Sequence, residues 1–305
     1  MKIEYVKFNF AAKTISVIEQ ANQIIAAYAA QGYDLTLRQL YYQFVSRDLI
    51  ANKQSEYKRL GSIINDARLG GLIDWNAITD RTRNLVDLAH WSNPAEIVEV
   101  CAQQFRNDKW ADQCLRIEVW IEKDALSGVF NRVCNEEDIP YFSCRGYTSQ
   151  SELWGAAMRH VRHQRRGQKV TVLHFGDHDP SGIDMTRDIT DRLHMFGADT
   201  TVERMALNMA QVEEYSPPPN PAKDTDSRFT GYSDIYGDES WELDALEPNV
   251  LAQLVRDRVE ALKDADRWEE SVKIEEKHRK DLTSVSNMWE YVVELVSGQG
   301  DTDEE

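Results

Sequence analysis

The sequence predicts an α/β fold with a parallel sheet, preceded by an α-rich module of the helix-turn-helix or winged-helix type. Apolar runs of strand length alternate with helical patterns from about residue 112, and repeated βα units of this kind build parallel sheets. Ahead of them, residues 11–69 carry three helical patterns in a row, which is typical of helix-turn-helix modules. We therefore expect a winged-helix domain over residues 1–111 and a parallel-sheet domain over residues 112–297.

The amino-terminal module is expected to contain short helices separated by clear breaks. The residues from Asp34 to Thr36 are good helix caps and interrupt the periodic pattern, and Gly70-Gly71 ends it again. After the break at Asn93-Pro94 a further helix is expected. The predicted helices are 11–31, 37–48, 55–69 and 95–106.

In the second domain, strands and helices alternate as far as a proline-rich connection. The predicted strands are 115–121, 141–144 and 170–175, and the predicted helices between them are 123–133 and 149–166. The segment SPPPNP, residues 216–221, cannot form a helix or a central strand. Residues 250–296 are expected to form charged amphipathic helices, and residues 298–305 a disordered acidic tail.

Acidic residues directly follow two of the predicted strands. Asp177 and Asp179 stand two residues apart, so an extended backbone points both carboxylates the same way. Pro180 stops the strand, and Ser181-Gly182 is expected to open the next helix. Glu122 follows the first strand, and parallel neighbours bring their carboxyl ends to one edge. These carboxylates predict a site for one or two divalent ions, Mg²⁺ or Mn²⁺, with a solvated turn as the alternative.

Two adjacent tyrosines on the second predicted helix are expected to face different environments. Tyr41 belongs to an apolar stripe at helical spacing between Leu37 and Phe44 and should be buried. Tyr42 is rotated about 100° from it and should be exposed beside Arg38, one turn earlier. The guanidinium can bind a phosphate and favour the phenolate, whose ordinary pKa is about 10. Tyr42 is therefore a candidate nucleophile on a phosphodiester, with an ordinary surface tyrosine as the alternative.

The 305-residue chain carries a net charge of −17, most of it in the carboxyl-terminal third. Residues 201–305 hold 26 Asp and Glu against 11 Lys and Arg, whereas residues 35–90 hold eight Lys and Arg against six acids. A basic, phosphate-binding face is thus compatible with the acidic total. The absence of a membrane-length apolar run or a signal-peptide core predicts a cytoplasmic protein without a membrane partner. The four cysteines lack C-x-x-C spacing, which favours buried free thiols.

Taken in order, these motifs resemble the A subunit of topoisomerase VI and the related meiotic double-strand-break transesterases. The motifs are the run from Arg38 to Tyr42, the pair Glu122-Lys123, and the run from Asp177 to Gly182. SWELDAL, residues 240–246, is similar to a segment near the end of that family's second domain. The resemblance spans most of residues 35–247 and implies a CAP-like winged-helix domain followed by a Toprim domain.

The chain departs from the full-length A subunit in several respects. Gln39 stands where an acid is usual, the chain is short, and no amino-terminal extension for docking an ATPase subunit is evident. It is most similar to the compact stand-alone versions called Mini-A, which mobile elements carry. These departures argue against ATP-driven strand passage, while a separate ATPase subunit stays open as a partner.

The resemblance implies a metal-dependent DNA transesterase of the type IIB topoisomerase class. Tyr42 would be the nucleophile that forms a 5′-phosphotyrosyl link, and Arg38 would steady the scissile phosphate. Glu122 would be a metal ligand or an acid/base group, and Asp177 and Asp179 would ligate Mg²⁺. The implied substrate is double-stranded DNA, cut by a homodimer in which the tyrosine of one protomer works with the metal of the other.

Basic residues near the tyrosine are candidate phosphate contacts, with ordinary solvated charges as the alternative. They are Lys53, Lys58, Arg59, Arg68, Arg81 and Arg83. Two other functions remain open on the sequence alone. One is a hydrolytic Toprim nuclease, which uses the same acids but lets water attack without a covalent intermediate. The other is a DNA-binding regulator that keeps a vestigial catalytic domain.

Overall fold

A computed structural model of the protein describes residues 1–79 and 88–298. The helices are α1 Ala12–Ala30, α2 Leu37–Ser46, α3 Gln54–Leu69, α4 Pro94–Gln104, α5 Ser127–Glu136, α6 Gln150–Arg165, α7 Pro180–Met195, α8 Met209–Tyr215, α9 Phe229–Tyr236, α10 Pro248–Leu262, α11 Ala265–Asn287 and α12 Trp289–Gly298. The strands are β1 Leu115–Ile121, β2 Tyr141–Ser143, β3 Lys169–Phe175, β4 Thr200–Ala206, β5 Asn220–Pro221 and β6 Glu239–Ser240. Short 3-10 turns occupy Asp124–Leu126 and Leu243–Ala245.

Four strands form one parallel sheet in the order β2-β1-β3-β4. β1 and β3 pair along their full length, from Leu115 opposite Lys169 to Ile121 opposite Phe175. β2 lies on one side of β1 in the sheet, and β3 lies on the other side. The chain runs from β1 to β2 and then crosses back to β3, so the direction of winding reverses between β1 and β3. Open parallel sheets bind their ligands beside the carboxyl ends of strands at such a point. The predicted α/β class is confirmed, and the predicted bounds of β1 are correct.

Helices cover both faces of this sheet because its strands carry apolar side chains on both sides. Trp120 of β1 and Val172 of β3 share a core with Leu153 of α6 and Leu193 of α7. Phe175, three residues after Val172 and hence on the other face, packs with its ring centroid 4.7 Å from that of Phe130 in α5. α5 and α7 therefore lie on opposite faces of the sheet. α5 connects β1 to β2, and α7 connects β3 to β4.

The three predicted amino-terminal helices are present as α1, α2 and α3, within two residues of the expected bounds. α2 opens with a capping box in which the Thr36 hydroxyl and the Gln39 amide oxygen each accept the other's backbone N–H. Strand pairing in residues 1–79 is limited to the isolated bridges Glu4 with Gly70 and Leu35 with Ile78. A β-hairpin wing is therefore not seen in that range, and the winged-helix assignment stays a prediction.

Two compact units divide the chain, and their boundaries differ from those expected from the sequence. Of the described residues, the first unit comprises 1–79 and 115–261, so that α1 to α3 and the parallel sheet belong together. The second comprises the described residues 88–114 and 262–298. The assignment of 1–111 to a winged-helix domain and of 112–297 to a Toprim domain stays a prediction. Residues 299–305 of the expected acidic tail lie outside the described part of the chain.

The second unit is built on the packing of α4 against α11. The Lys109 ammonium lies 2.7 Å from the Glu275 carboxylate, which also accepts the Asn107 N–H at 2.9 Å. The rings of Trp110 and Trp268 meet edge to face with centroids 5.6 Å apart. The charged helices predicted for residues 250–296 are thus present, and at least one of their faces has a packing partner.

The expectation that the cysteines are buried free thiols is met for two of them and wrong for the other two. Cys134 and Cys144 are buried free thiols as expected, whereas Cys101 and Cys114 are free but exposed, because they lie outside the sheet core. Across residues 1–79 and 88–298, each helix is too short or too polar to span a bilayer.

The core position of Leu153 leads to a stability prediction. This side chain is completely buried between α6 and the sheet, so Leu153→Ala should lower the free energy of unfolding by about 2–5 kcal/mol through a cavity. Arg162→Ala, at an exposed position of the same helix, should change it by less than about 0.5 kcal/mol. Urea unfolding of both variants measures the difference, and equal losses would contradict the packing described here.

Candidate functional site

Acidic residues meet at the carboxyl ends of the two central strands, where the winding of the sheet reverses. Glu122 continues the β1–β3 ladder by donating its N–H to the Phe175 carbonyl at 2.8 Å. Its Oε2 accepts the Asp177 N–H, also at 2.8 Å. A Cβ on Gly176 would lie only 3.0 Å from that oxygen, so the absence of a side chain leaves room for this contact. The expectation that Glu122 comes close to the Asp-x-Asp motif is therefore met.

The two aspartates of that motif engage different partners, contrary to the expectation that both carboxylates project together. Asp177 is buried; its Oδ1 accepts the Leu243 N–H at 2.7 Å and its Oδ2 lies 2.8 Å from the Lys123 ammonium. Asp179 is the N-cap of α7, and its Oδ1 accepts the Gly182 N–H at 2.6 Å. The helix thus begins at Pro180, one residue before the Ser181-Gly182 pair that was expected to open it, because Asp179 itself supplies the cap.

The turn between β3 and α7 is held by a close backbone approach and by one arginine. A Cβ on Gly182 would lie 2.2 Å from the Asp177 carbonyl oxygen, so only glycine fits this position. From β4, the Arg204 guanidinium donates to the carbonyls of Gly176 at 3.2 Å, Asp177 at 2.6 Å and Gly182 at 2.8 Å. Arg204 therefore ties the strand end to the first turn of the helix.

The candidate nucleophile Tyr42 is buried, which corrects the prediction that it is exposed. Only 6% of Tyr42 is accessible, compared with 5% of Tyr41. The reason is that the turn Leu243–Ala245 packs on α2 and covers its second face, a tertiary contact that helical periodicity does not reveal. Arg38 does lie beside Tyr42 as predicted, with its guanidinium carbon 5.7 Å from the ring centroid.

Arg38 was expected to favour the Tyr42 phenolate, but its guanidinium is already paired with two carboxylates. Its Nε lies 3.0 Å from Asp244 and its Nη2 lies 3.2 Å from Glu242. Burial raises the pKa of Tyr42 above its ordinary value, Asp244 and Glu242 raise it further, and Arg38 and Lys123 oppose the rise only in part. In this arrangement Tyr42 is a neutral phenol at physiological pH.

A compact group of opposite charges joins α2, the end of β1 and the SWELDAL segment. The Lys123 ammonium lies 2.8 Å from Asp177 and 3.2 Å from Asp244, and it also contacts Glu242. Burial alone lowers the pKa of Lys123, but these three carboxylates outweigh it and raise the pKa well above its ordinary value. The pKa of the Asp177 carboxyl is raised well above its ordinary value, first by burial and then by neighbouring carboxylates, and Lys123 opposes that rise only in part. We call these residues, together with Arg38, the charge cluster.

A cavity of about 480 Å³ within the first compact unit is lined by part of each predicted motif, but Glu122 and Asp177 are not among its lining residues. Tyr42 and Arg38 line it from α2, and Asp179 lines it from the start of α7. Lys53 and Lys223, both exposed, contribute positive charge to the same cavity. A phosphodiester entering it would therefore meet the Tyr42 phenol, two carboxylates and three cations, the carboxylates being those of Asp179 and Glu242.

The other candidate phosphate contacts lie in more ordinary surroundings. Lys58 is exposed on α3, and Arg59 pairs with Glu56 one turn away at 2.6 Å. Arg68 donates to the Trp75 carbonyl at 2.7 Å and stacks on the Trp75 ring, which gives it a structural role. The remaining two candidates, Arg81 and Arg83, lie outside the described residues.

Hard oxygen ligands for a divalent cation are present at this edge of the sheet. Among residues 1–79 and 88–298, no three Asp, Glu, His or Cys side chains converge as a ready-made metal cage. Mg²⁺ usually takes only one or two carboxylates and completes its shell with water and phosphate. Asp177 Oδ2 already faces a cation, the Lys123 ammonium, and the Glu122 carboxylate accepts the Asp177 main-chain N–H. These oxygen donors are compatible with a Mg²⁺ or Mn²⁺ ion that keeps several waters, and the binding of such an ion stays a prediction.

Sequence reasoning missed several residues of this region. Lys123 follows Glu122 directly, and Glu242 and Asp244 repeat the spacing of the Asp-x-Asp motif, so an acid pair was visible there. Arg204 is a charged residue within a strand, which signals a buried partner. Lys223 carries no sequence signal beyond its proline-rich context.

No protein-family model and no curated protein matches the chain.

The close approach at Gly182 leads to a prediction with a matched control. Gly182→Ala should lower the free energy of unfolding, because the new methyl group would overlap the Asp177 carbonyl. Gly155→Ala, at another helical glycine that has open space around it, should raise that free energy by roughly 0.5–1 kcal/mol. Thermal unfolding of both variants tests this contrast, and stabilisation by Gly182→Ala would contradict the described turn.

Proposed function

We propose that this chain is a metal-dependent DNA transesterase of the type IIB topoisomerase A-subunit class, with Tyr42 as its nucleophile. The observation that carries the proposal is the cavity lined by Tyr42, Arg38 and Asp179. These residues come from motifs far apart in sequence, and they meet beside the reversal point of a parallel sheet, where such folds bind ligands. Lys53 and Lys223 provide a favourable field for a DNA backbone.

The proposed chemistry exchanges one phosphodiester for another. The Tyr42 oxygen attacks phosphorus, a tyrosyl–phosphorus bond forms, and the bond to the 3′-oxygen breaks. The phenolic proton passes to a carboxylate, the acid/base role that the resemblance implies for Glu122, whose pKa is raised chiefly by burial, and the 3′-oxygen takes up a proton as it leaves. Because the number of phosphoester bonds is unchanged, cleavage and resealing need no ATP.

Glu122, Asp177 and Asp179 would hold the Mg²⁺ or Mn²⁺ ion. When bound, that ion neutralises the phosphate and favours departure of the 3′-oxygen. Arg38 steadies the scissile phosphate with its guanidinium, which is suited to binding two phosphate oxygens at once. The chain's own contribution is therefore to position the phosphate between α2 and the carboxyl edge of the sheet.

Cleavage requires a more open arrangement than the one described. Tyr42 is almost inaccessible, and Arg38 is occupied by Glu242 and Asp244. DNA phosphates would compete for Arg38 and so favour separation of α2 from the SWELDAL segment. A homodimer in which Tyr42 meets the partner's acids remains part of the proposal, as does a separate ATPase subunit. Tyr42 and Asp179 already share a cavity within one chain, so cleavage in cis is also compatible with this geometry.

The burial of Tyr42 favours one alternative, a hydrolytic Toprim nuclease. In that reading water attacks the phosphodiester, the same three acids act, and Tyr42 only packs against the Leu243–Ala245 turn. No protein remains attached to the DNA. A DNA-binding regulator with a vestigial catalytic domain is not favoured by any contact in this region.

Covalent attachment to DNA separates these functions. We expect wild-type protein with supercoiled plasmid and Mg²⁺ or Mn²⁺ to produce DNA ends that enter a denaturing gel only after protease treatment. Tyr42→Phe should lose this product, because it removes the attacking oxygen. Tyr41→Phe is the matched control, since Tyr41 is equally buried but donates its hydroxyl to Asn52 at 3.0 Å.

Each other result has a definite meaning. Free ends from the wild type and from both variants would replace the transesterase by the hydrolytic nuclease. Loss of the adduct in Tyr41→Phe as well as in Tyr42→Phe would show that the result reflects helix packing and not the nucleophile. DNA binding without cleavage by any of the three proteins would favour the regulator.

A further inference from the structure

The position of Lys123 relative to the acidic site is not explained by the proposed chemistry. Its side chain is only 15% exposed, and its ammonium lies 2.8 Å from Asp177 Oδ2, an oxygen that the proposed function assigns to metal binding. Without a cation nearby, the buried Asp177 carboxylate would be strongly destabilised. Lys123 therefore serves as the counter-ion of Asp177 in this arrangement.

The same ammonium has two further partners that do not belong to the predicted metal ligands. Glu242 contacts it, and Asp244 Oδ1 lies 3.2 Å away. The Asp244 side chain is completely buried, and the Glu242 side chain is 27% exposed. If Lys123 left Asp177, it would keep both of these carboxylates and would not be stranded as an unpaired buried charge. The ammonium could therefore move away from Asp177 and still keep two of its three carboxylate partners, Glu242 and Asp244.

A divalent cation and this ammonium compete for one oxygen. Mg²⁺ binds carboxylate oxygens at about 2.0–2.1 Å, so an ion on Asp177 Oδ2 would lie within a few ångströms of a positive charge. Repulsion between like charges at that separation is strong inside a protein. Metal binding to Asp177 therefore requires the Lys123 ammonium to withdraw.

We propose that Lys123 is a built-in competitor for the metal site: it occupies the cation position at Asp177 in the metal-free protein and withdraws to Glu242 and Asp244 when the ion binds. This inference rests on the proposed metal-dependent function. Lys123 is a positioning residue here, because it acts through Asp177 and touches neither metal nor DNA. Its consequence is a weakened metal affinity, so that the ion binds well only when DNA phosphate supplies additional ligands.

The test measures Mn²⁺ binding in the absence of DNA, by calorimetric titration and by the rise of Tm with added Mn²⁺. Lys123→Met removes the charge at similar length, and it should bind Mn²⁺ at least about 10-fold more tightly than the wild type. Its metal-dependent rise of Tm should exceed that of the wild type by roughly 2–4 °C. Lys123→Arg keeps the charge and should retain the weak affinity of the wild type.

A matched control comes from the second compact unit. Lys109 is 11% exposed and 2.7 Å from the Glu275 carboxylate, so Lys109→Met also removes a mostly buried lysine from an ion pair. It should lower the Tm without metal and leave the Mn²⁺ affinity unchanged. If Lys123→Met does not fold, Lys123→Met combined with Asp244→Asn removes one charge of each sign. This double variant should then bind Mn²⁺ more tightly than Asp244→Asn alone.

The outcomes distinguish this inference from the proposed function. Equal or weaker Mn²⁺ binding by Lys123→Met, with clear binding by the wild type, overturns the competitor role and leaves the metal site intact. Failure of the wild type and of every variant to bind Mn²⁺ removes the metal-dependent function itself. Tighter binding by Lys109→Met as well would show that the effect follows net charge and not the position of Lys123, which also overturns the inference.

Discussion

The charge cluster is the interaction on which the candidate site depends. Three carboxylates and two cations meet where β1 ends, where α2 passes and where the SWELDAL segment returns to the sheet. Removing one partner of the buried Lys123–Asp177 pair typically costs about 3–5 kcal/mol, because the other charge is left without compensation. The contacts of Arg38, whose side chain is 47% exposed, are weaker, and they join the candidate tyrosine helix to the same cluster. The same cluster occupies Arg38, and the Leu243–Ala245 turn buries Tyr42, so the stability of this arrangement opposes the proposed chemistry.

The sheet explains why the acids lie together at all. β1 and β3 are adjacent, full-length parallel partners, and the winding of the chain reverses between them. Residues that follow these two strands must meet at one edge, which places Glu122 next to Asp177. Gly182 and Arg204 then shape the turn after β3, the first by its lack of a side chain and the second through main-chain carbonyls. The electrostatic site is thus built largely on short turns that directly follow strands and that main-chain contacts hold in place.

Much of this was predictable from local patterns. The apolar runs located β1 and β3, and helical periodicity with Thr36 as a cap located α2 to within two residues. The meeting of Glu122 with Asp177 followed from the general geometry of parallel sheets. The exposure of Tyr42 could not be predicted in this way, because it depends on a turn about 200 residues later in the chain, Leu243–Ala245. The partners of Arg38 were missed for the same reason.

The sequence by itself determined the α/β class, the first three strands of the sheet and the acids that follow β1 and β3, since these follow from hydrophobic period and from residues adjacent to strand ends. The fourth strand, β4, was not predicted. Only the tertiary structure decided how the charges pair. Asp179 became a helix cap, Lys123 became the counter-ion of Asp177, and Arg38 was drawn to Asp244. The physical reason is that electrostatic pairing depends on distance in space and on exclusion of water, and neither quantity is encoded in the spacing of residues along the chain.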